Sequence, residues 1–256
     1  MIKIAYRFLL NSLKRYEQYR IELVYSVMTL LIGVFITPAM WYVVTGGGKN
    51  LLSGWSFEYL TILSMSYSMM FAFMDALGYW DIWIWFEKEG RKLLSNILTK
   101  PLHPLFYMYG LNLFPYGIIQ FMLNAIALFS FAAYTGVEIT ACFLVMILLG
   151  ALIMFNLLNI MLATYLVFDK VAKPLMRVGW ALVRYGNMPL GDLKGAFQVL
   201  FSFIIPIAFV AALPVEALIS NDCGPLLPSA VMALLSTLLL ALMWNFGLRR
   251  FEAVGG

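Results

Sequence analysis

The sequence predicts an all-α integral membrane protein with six transmembrane helices, and three observations support the prediction. Hydrophobic residues make up 63% of the 256 positions and charged residues 12%, whereas soluble domains are about 45–50% apolar and about 25% charged. Apolar stretches long enough to cross about 30 Å of hydrocarbon recur along the whole chain. Basic residues are concentrated in alternate connections between these stretches, as in oriented membrane proteins. We therefore expect a single transmembrane domain over 1–256.

The opening stretch, 1–20, is expected to form an amphipathic helix that lies in the headgroup plane. It does not fit a cleavable signal peptide, because its apolar part is too short and basic residues follow it. On a helix, Phe8 and other apolar residues would lie on one side, and cations such as Arg7 and Lys14 on the other.

Hydropathy predicts five of the six spans directly. They are 21–44, 58–84, 106–134, 139–167 and 225–247.

The position of the fifth span in chain order stays open. Hydropathy alone places it at 196–219, which would leave 169–194 as a cytoplasmic loop. Alternatively, 168–187 crosses with cations along one face, and 188–220 folds back into the outer leaflet. Three prolines favour this re-entrant version, because non-helical backbone survives at membrane depth only where protein buries it. They are Pro189, Pro206 and Pro214.

The distribution of basic residues predicts the orientation. Of the 17 Lys and Arg residues, all except Lys49 lie in the N-terminal stretch, the second connection, the region before the last span or the C-terminal tail. Such an asymmetry places both termini in the cytoplasm. The net charge of +4 follows from the same rule and indicates no nucleic-acid partner.

The sequence lacks the residue patterns of an enzyme or an ATPase. The stretch GGGKN at 46–50 is no phosphate loop, because Val43 stands in place of the first glycine and Asn50 in place of Ser or Thr. His103 is the only histidine, and no GxSxG motif occurs. We expect no catalytic residues and no bound cofactor in this chain.

Two cysteines, Cys142 and Cys223, show no CxxC spacing, so no metal site is expected. They could form a disulfide in an oxidising compartment, but two free thiols are the favoured expectation.

The second span contains candidates for a substrate pathway. Asp75 is a candidate proton relay, although an interfacial or helix-pairing acid is the favoured interpretation. Met65 and Met69 belong to a methionine-rich surface that could adapt to apolar ligands, but core filling or lipid contact is favoured. Ser64 and Ser68 begin a stripe of small residues suited to close helix packing.

The segment 87–104 is polar and lies between two apolar stretches. Within it, RKLLSNIL can form two helical turns with its leucines and isoleucine on one side. Gly90 permits a turn before this helix, and Pro101 ends it. A short cytoplasmic helix parallel to the membrane suits contact with a partner protein; an interfacial loop is the alternative.

Three stretches together resemble the permeases of ABC-2-type transporters. They are EGRKLLSNILTKPLHPLF, RYGNMPLGDLKGAFQVLFSFIIPIAFVAALPVEAL and the terminus WNFGLRRFEAVGG. Phe251 replaces the tyrosine of the family's usual ending, and Ala253 with Val254 replaces Ser-Ala. The resemblance runs in order over essentially the whole chain and implies a fold like that of type V, or ABC-2, exporters.

The resemblance implies the partners and the location. The N-terminal helix and 87–104 would dock on a separate ATPase subunit, present in two copies, which binds ATP and Mg²⁺. A second permease, the same chain or a different one, would complete the pathway among the lipids of a bacterial inner membrane. Hydrophobic or amphipathic compounds, lipids or surface polymers would be exported.

The resemblance also implies roles for particular residues. Pro189, Pro206 and Pro214 are candidates for an outer gate or re-entrant segment. Coupling to the ATPase is assigned to Glu89, Gly90, Arg91, Leu94, Lys100, Pro101 and Pro104.

Two other functions stay open from the sequence. One is a proton-coupled secondary transporter with Asp75 as the carrier, although no internal repeat supports it. The other is a membrane assembly subunit that transports nothing.

Overall fold

The structure, a computed structural model, describes residues 7, 8, 10–12, 14, 20–52, 54–89, 91–189, 195 and 199–251. These residues form helices and connecting turns, with no strand among them apart from an isolated bridge between Leu52 and Trp55. The helices are α1 Arg20–Val44, α2 Phe57–Ala76, α3 Tyr79–Glu89, α4 Arg91–Leu98, α5 Pro104–Asn112, α6 Pro115–Thr135, α7 Ala141–Val167, α8 Asp169–Val183, α9 Ala212–Ser220 and α10 Leu226–Arg250.

Three of these helices, α6, α7 and α10, are long and apolar enough to cross a membrane. A fourth span results if α2 and α3, which meet at an angle of 62°, count as one broken span. The described part of α1 also contains an apolar stretch, Leu31–Val44. The fold is therefore that of an all-α, multi-pass membrane protein.

Helices α7 and α10 pack against each other and run parallel. Asn156 of α7 donates hydrogen bonds to Ser236 Oγ at 3.0 Å and to Thr237 Oγ1 at 2.9 Å. Near the other end of the pair, a Cβ on Gly247 would lie 2.5 Å from Cβ of Leu166, so the glycine permits close approach. Because the two helices are parallel, residues 168–225 return the chain from one end of α7 to the other.

A second pair, α2 and α6, is antiparallel. The rings of Phe57 and Phe131 lie 5.8 Å apart at one end of the pair. At the other end Gly117 faces backbone, since a Cβ there would lie 2.1 Å from the Ala76 nitrogen. Helix α1 packs on α2, where Trp41 Nε1 donates a 2.8 Å hydrogen bond to Ser64 Oγ.

Two predicted spans, 58–84 and 106–134, are wrong as continuous helices. The first breaks at Gly78, which has φ +70°, and the second breaks before Pro115, the first residue of α6. The breaks meet in space: the Phe114 N–H donates to the Ala76 carbonyl at 2.9 Å. Hydropathy measures how apolar a stretch is but carries no information about a change in the direction of the helix axis, so it could not predict either bend.

The region between α8 and α9 has broken backbone. It contains a 3₁₀ turn at Arg184–Asn187, a π turn at Leu200–Ile204 and a second 3₁₀ turn at Ile207–Phe209. The continuous helix 196–219 that hydropathy alone predicts is therefore not formed. This broken backbone packs on α7, where a Cβ on Gly150 would lie 2.6 Å from the Val210 carbonyl oxygen.

The expectation of two free thiols is wrong. Cys142, at the start of α7, and Cys223, just before α10, form a disulfide with 5.8 Å between their Cα atoms. The two residues are far apart in sequence, but the parallel packing of α7 and α10 brings them together. We call this end of the bundle the disulfide end, and the opposite end, which holds α4, the basic end.

The predicted amphipathic helix, 1–20, lies largely outside the described residues. Those described before Arg20 are helical. Among them, Phe8 packs edge-on against Phe106 and Tyr107 of α5, with 6.2 Å between ring centroids in each case.

Candidate functional site

The first candidate site is the helix α4 and its flanks, at the basic end. Its apolar side faces the protein: Leu94 and Ile97 are buried, with 0% and 4% exposure. Leu94 therefore packs α4 against the helix bundle, and its side chain is not accessible to a partner protein. Gly90 lies outside the described residues, as does the side chain of Arg91.

The last two residues of α3, the opposite side of α4 and the loop that follows α4 form an exposed polar surface, which we call the coupling face. It has three lysines and one acid among seven residues, so it is basic overall. Pro104, the first residue of α5, is half-buried beside it. The coupling face consists of Lys88, Glu89, Lys92, Asn96, Thr99, Lys100 and Pro101.

The coupling face is tied to the long helices through α3. The ring of Phe86 lies 5.3 Å from that of Tyr165, near the end of α7. The next residue, Glu87, accepts hydrogen bonds from Arg177 of α8, and Arg177 Nε lies 3.1 Å from Glu87 Oε1. Helix α3, which leads into α4, thus contacts both α7 and α8.

The described N-terminal residues pack on α5 and on the turn that follows it. Ser12 donates a hydrogen bond to the Leu113 carbonyl oxygen at 2.5 Å. A Cβ on Gly110 would lie 2.4 Å from Cδ2 of Phe8, so the aromatic ring rests directly on α5. Arg7 and Lys14 are exposed. The N-terminal segment and α4 thus flank α5 at the same end of the bundle.

The predicted pathway residues of α2 do not share one cavity. Met69 lines an apolar crevice of about 640 Å³ between α2, α6 and α7. Met65 is buried at 5% exposure and is not among the residues lining that crevice. Asp75 lines a separate cavity of about 170 Å³ with Trp80 and Asp81.

Asp75 lies at the basic end of α2, next to the bend. Trp80 borders the same cavity, and Oδ1 of Asp75 is buried without a hydrogen-bond partner among the described residues. Two carboxyl groups, those of Asp75 and Asp81, border the same small cavity. This arrangement fits an interfacial acid beside a tryptophan.

The candidate gate prolines belong to the broken region. Pro206 and Pro214 are buried and Pro189 is half-buried. Pro206 immediately precedes the 3₁₀ turn Ile207–Phe209, and Pro214 lies in the first turn of α9. Both are packed inside the protein.

Sequence reasoning did not find an aromatic cluster between α2, α3 and α8. Its centre is Trp180, whose ring lies 4.4 Å from that of Trp80 and 5.3 Å from those of Phe71 and Trp83. The spacing of Trp80 and Trp83 on one helix face was the available signal. Nothing in the sequence indicated that α8 would return to meet them.

A chain with several membrane-spanning helices and a polar, helical surface at one end is a multi-pass membrane protein of the transporter class. The chain belongs to the ABC-2 family of transporter proteins, because the model of that family matches residues 31–255. No curated protein and no solved structure matches it. Membership makes the chain a membrane permease, and the family is one that associates with an ABC ATPase.

Proposed function

We propose that this chain is the transmembrane subunit of an ABC exporter, driven by a separate ATPase that docks on the coupling face. The supporting observation is the construction of α4, with its apolar side buried and its polar side exposed at the basic end. A helix fixed in this way can pass on a push from a partner protein as a rigid body.

The contacts of α3 suggest how a movement of the ATPase would be transmitted to the permease. ATP binding would bring the two ATPase subunits together. Each ATPase subunit would then move helices α3 and α4 of the permease on which it is docked. Phe86 would carry the movement to Tyr165 of α7, and Glu87 would carry it to Arg177 of α8. Coupled movement of α7 and α8 would shift the permease toward an outward-open state.

The remaining features of the proposal concern topology and substrate. The chain would cross a bacterial inner membrane six times with both termini in the cytoplasm, and 188–220 would be re-entrant. A second permease, the same chain or a different one, would supply the other half of the pathway. The substrates would be hydrophobic or amphipathic compounds, lipids or surface polymers.

Pro206 and Pro214 would form part of the outer gate, because they shape the broken backbone beside α7. Replacing both with alanine is expected to reduce transport while the ATPase remains bound. Unchanged transport by the Pro206→Ala, Pro214→Ala variant would remove the gate from the proposal.

The docking proposal is tested by purifying tagged chain from its native membrane in a gentle detergent. Mass spectrometry should find a co-purifying protein with a nucleotide-binding motif. Lys92→Glu combined with Lys100→Glu should lower its recovery at least about ten-fold, since charge reversal at a complementary surface produces repulsion. Lys49→Glu is the matched control, because Lys49 is exposed outside the coupling face.

Each outcome has a definite meaning. Loss of the ATPase with the charge reversals but not with the control supports docking on α4, provided that the variants insert normally. Equal recovery with all variants would place the contact elsewhere. If wild-type chain brings no ATPase and transports without ATP, the function is that of a proton-driven carrier, and Asp75→Asn should then abolish it.

A further inference from the structure

Helix α8 and the 3₁₀ turn that follows it carry a row of cations on their exposed side. Lys173, Arg177 and Arg184 are spaced by four and seven residues, which places them on one face of a helix. All three are exposed. The row begins near the basic end and advances along α8 toward the middle of the bundle.

Arg184 lies far from both ends of the bundle. The Tyr67 hydroxyl donates a hydrogen bond to the carbonyl oxygen of Val183, the preceding residue. A Cβ on Gly186 would lie 2.7 Å from Cε2 of the same tyrosine ring. Tyr67 occupies the middle of α2, so Arg184 is about 15 Å from each end of that helix at the usual helical rise.

A cation at this depth requires an explanation. An arginine near a helix end can extend its guanidinium to the headgroups, but the side chain is too short to do so from the middle of the bundle. Ionisable residues inside membrane segments therefore mark functional sites with a partner or a ligand.

The described residues provide no anionic partner for Arg184. Arg177 pairs with Glu87, but no carboxylate among the described residues lies within 4.0 Å of the Arg184 guanidinium. Instead the guanidinium lies over the ring of Trp180, 5.5 Å from its centroid. The aromatic cluster holds this ring in place, so the cation is supported on one side and exposed on the other.

The surroundings of Arg184 are apolar. Val178, Tyr185 and Met188 are exposed nearby on the same segment, at 57%, 47% and 52%. A planar guanidinium beside an aromatic ring suits bidentate binding of a phosphate or carboxylate group. The site therefore combines an anion-binding group with an apolar surface for a hydrocarbon chain.

We propose that Arg184, supported by Trp180, binds the anionic headgroup of a phospholipid-like amphiphile that the exporter carries along the exposed face of α8. This rests on the proposed function and names its substrate class. Lys173 and Arg177 lie about 16 Å and about 10 Å along the helix toward the basic end. They would guide the headgroup inward from that end before it reaches Arg184.

Charge complementarity favours an amphiphile over a second copy of this chain. Four of the described carboxylates lie toward the ends of the bundle, so a second copy does not offer these four at the level of Arg184. Glu58 and Glu138 border a cavity at the disulfide end. Asp75 and Asp81 border the cavity beside the bend at the basic end.

The test uses full-length protein in phosphatidylcholine nanodiscs. Either phosphatidylglycerol or phosphatidylcholine with a photoreactive group next to the headgroup is added, and cross-linked peptides are located by mass spectrometry. Phosphatidylglycerol should label residues 178–188, and Arg184→Gln should lower that labelling about ten-fold, as expected for loss of a charge-assisted contact. Arg250→Gln is the matched control, because Arg250 also lies over an aromatic ring, that of Phe246 at 4.3 Å.

Several results would overturn the proposal. Equal labelling of 178–188 by the two lipids would mean that the anionic headgroup is not recognised. Labelling unchanged by Arg184→Gln would place the anion elsewhere, and absence of labelling at 178–188 by either lipid would mean that another occupant, such as a second copy of the chain, covers this face. Because the assay contains no ATPase, its result does not depend on whether the docking experiment succeeds.

Discussion

Arg177 of α8 donates two hydrogen bonds to one carboxylate oxygen of Glu87, one from Nε and one from Nη2. Glu87 lies only four residues before α4, and Arg177 lies on α8, seven residues before Arg184 at the start of the following 3₁₀ turn. This pair thus joins the helix that leads into the coupling face to the helix that bears the proposed headgroup site. Movement of α4 would alter the position of Glu87 and so the availability of Arg177 to an anion.

The first prediction concerns this pair. Glu87→Gln should leave the ATPase bound and hydrolysing ATP but should reduce transport several-fold, because α8 would then follow α3 only through the aromatic cluster. Transport and ATP hydrolysis are measured together in proteoliposomes that contain the whole complex. Glu138→Gln is the control, as it removes an exposed acid near the disulfide end.

A charge swap makes the first prediction sharper. Glu87→Arg combined with Arg177→Glu should restore part of the coupling that either single reversal loses, since the pair forms again with opposite polarity. If both single reversals transport as well as the wild type, the ion pair has no part in coupling.

The second prediction concerns helix packing at Gly117. Gly117→Ala should lower the free energy of unfolding by about 1–3 kcal/mol, because the added methyl group meets the backbone of Ala76 and cannot be accommodated by a side-chain movement. Gly33→Ala in α1 is the matched control, because a Cβ there has nothing within 4 Å. The midpoint temperature of thermal unfolding in detergent should fall for Gly117→Ala and not for Gly33→Ala. Equal midpoints for the two variants would contradict the α2–α6 contact.

The sequence predicted the long helices well and the bends poorly. The ends of α1, α7 and α10 lie within about three residues of the predicted spans, because sustained apolar stretches identify helices of this kind. The break at Gly78 depends on the Asn112 carbonyl, against which a side chain would clash at 1.8 Å. Such a contact between two distant segments has no signature in hydropathy.

The same limit applies to the candidate sites. The short helix in 87–104 was predicted from its leucine spacing, but the spacing does not say whether Leu94 faces a partner or the bundle. The cations of α8 were recognised as one face of a helix. Their depth became apparent only through the contact of Val183 with Tyr67, which joins residues 116 positions apart.

The third prediction concerns the polar contact between α7 and α10. Asn156→Ala should lower the free energy of unfolding by about 0.6–2 kcal/mol, the range measured for hydrogen bonds between membrane helices. In a Ser236→Ala, Thr237→Val background, Asn156→Ala should lower the free energy of unfolding much less, because the hydroxyl groups that accept hydrogen bonds from Asn156 are already absent. Thermal unfolding of the wild type, the two variants and their combination gives the interaction energy between Asn156 and its partners. If the effects of the substitutions on stability are additive, these hydrogen bonds contribute nothing to it.

The fourth prediction concerns the disulfide and the side of the membrane that it faces. Because the disulfide occupies both cysteines, a membrane-impermeant maleimide should not label intact cells until a reductant is added. Cys142→Ser should allow labelling without reductant, since Cys223 is exposed and would then be a free thiol. Cys142→Ser combined with Cys223→Ser is the blank, because it removes the last thiol.

Labelling of the single variant in intact cells places the disulfide end on the oxidising side and the coupling face in the cytoplasm, where an ATPase can reach it. Labelling only after the cells are opened would reverse that orientation and remove the basis for ATPase docking.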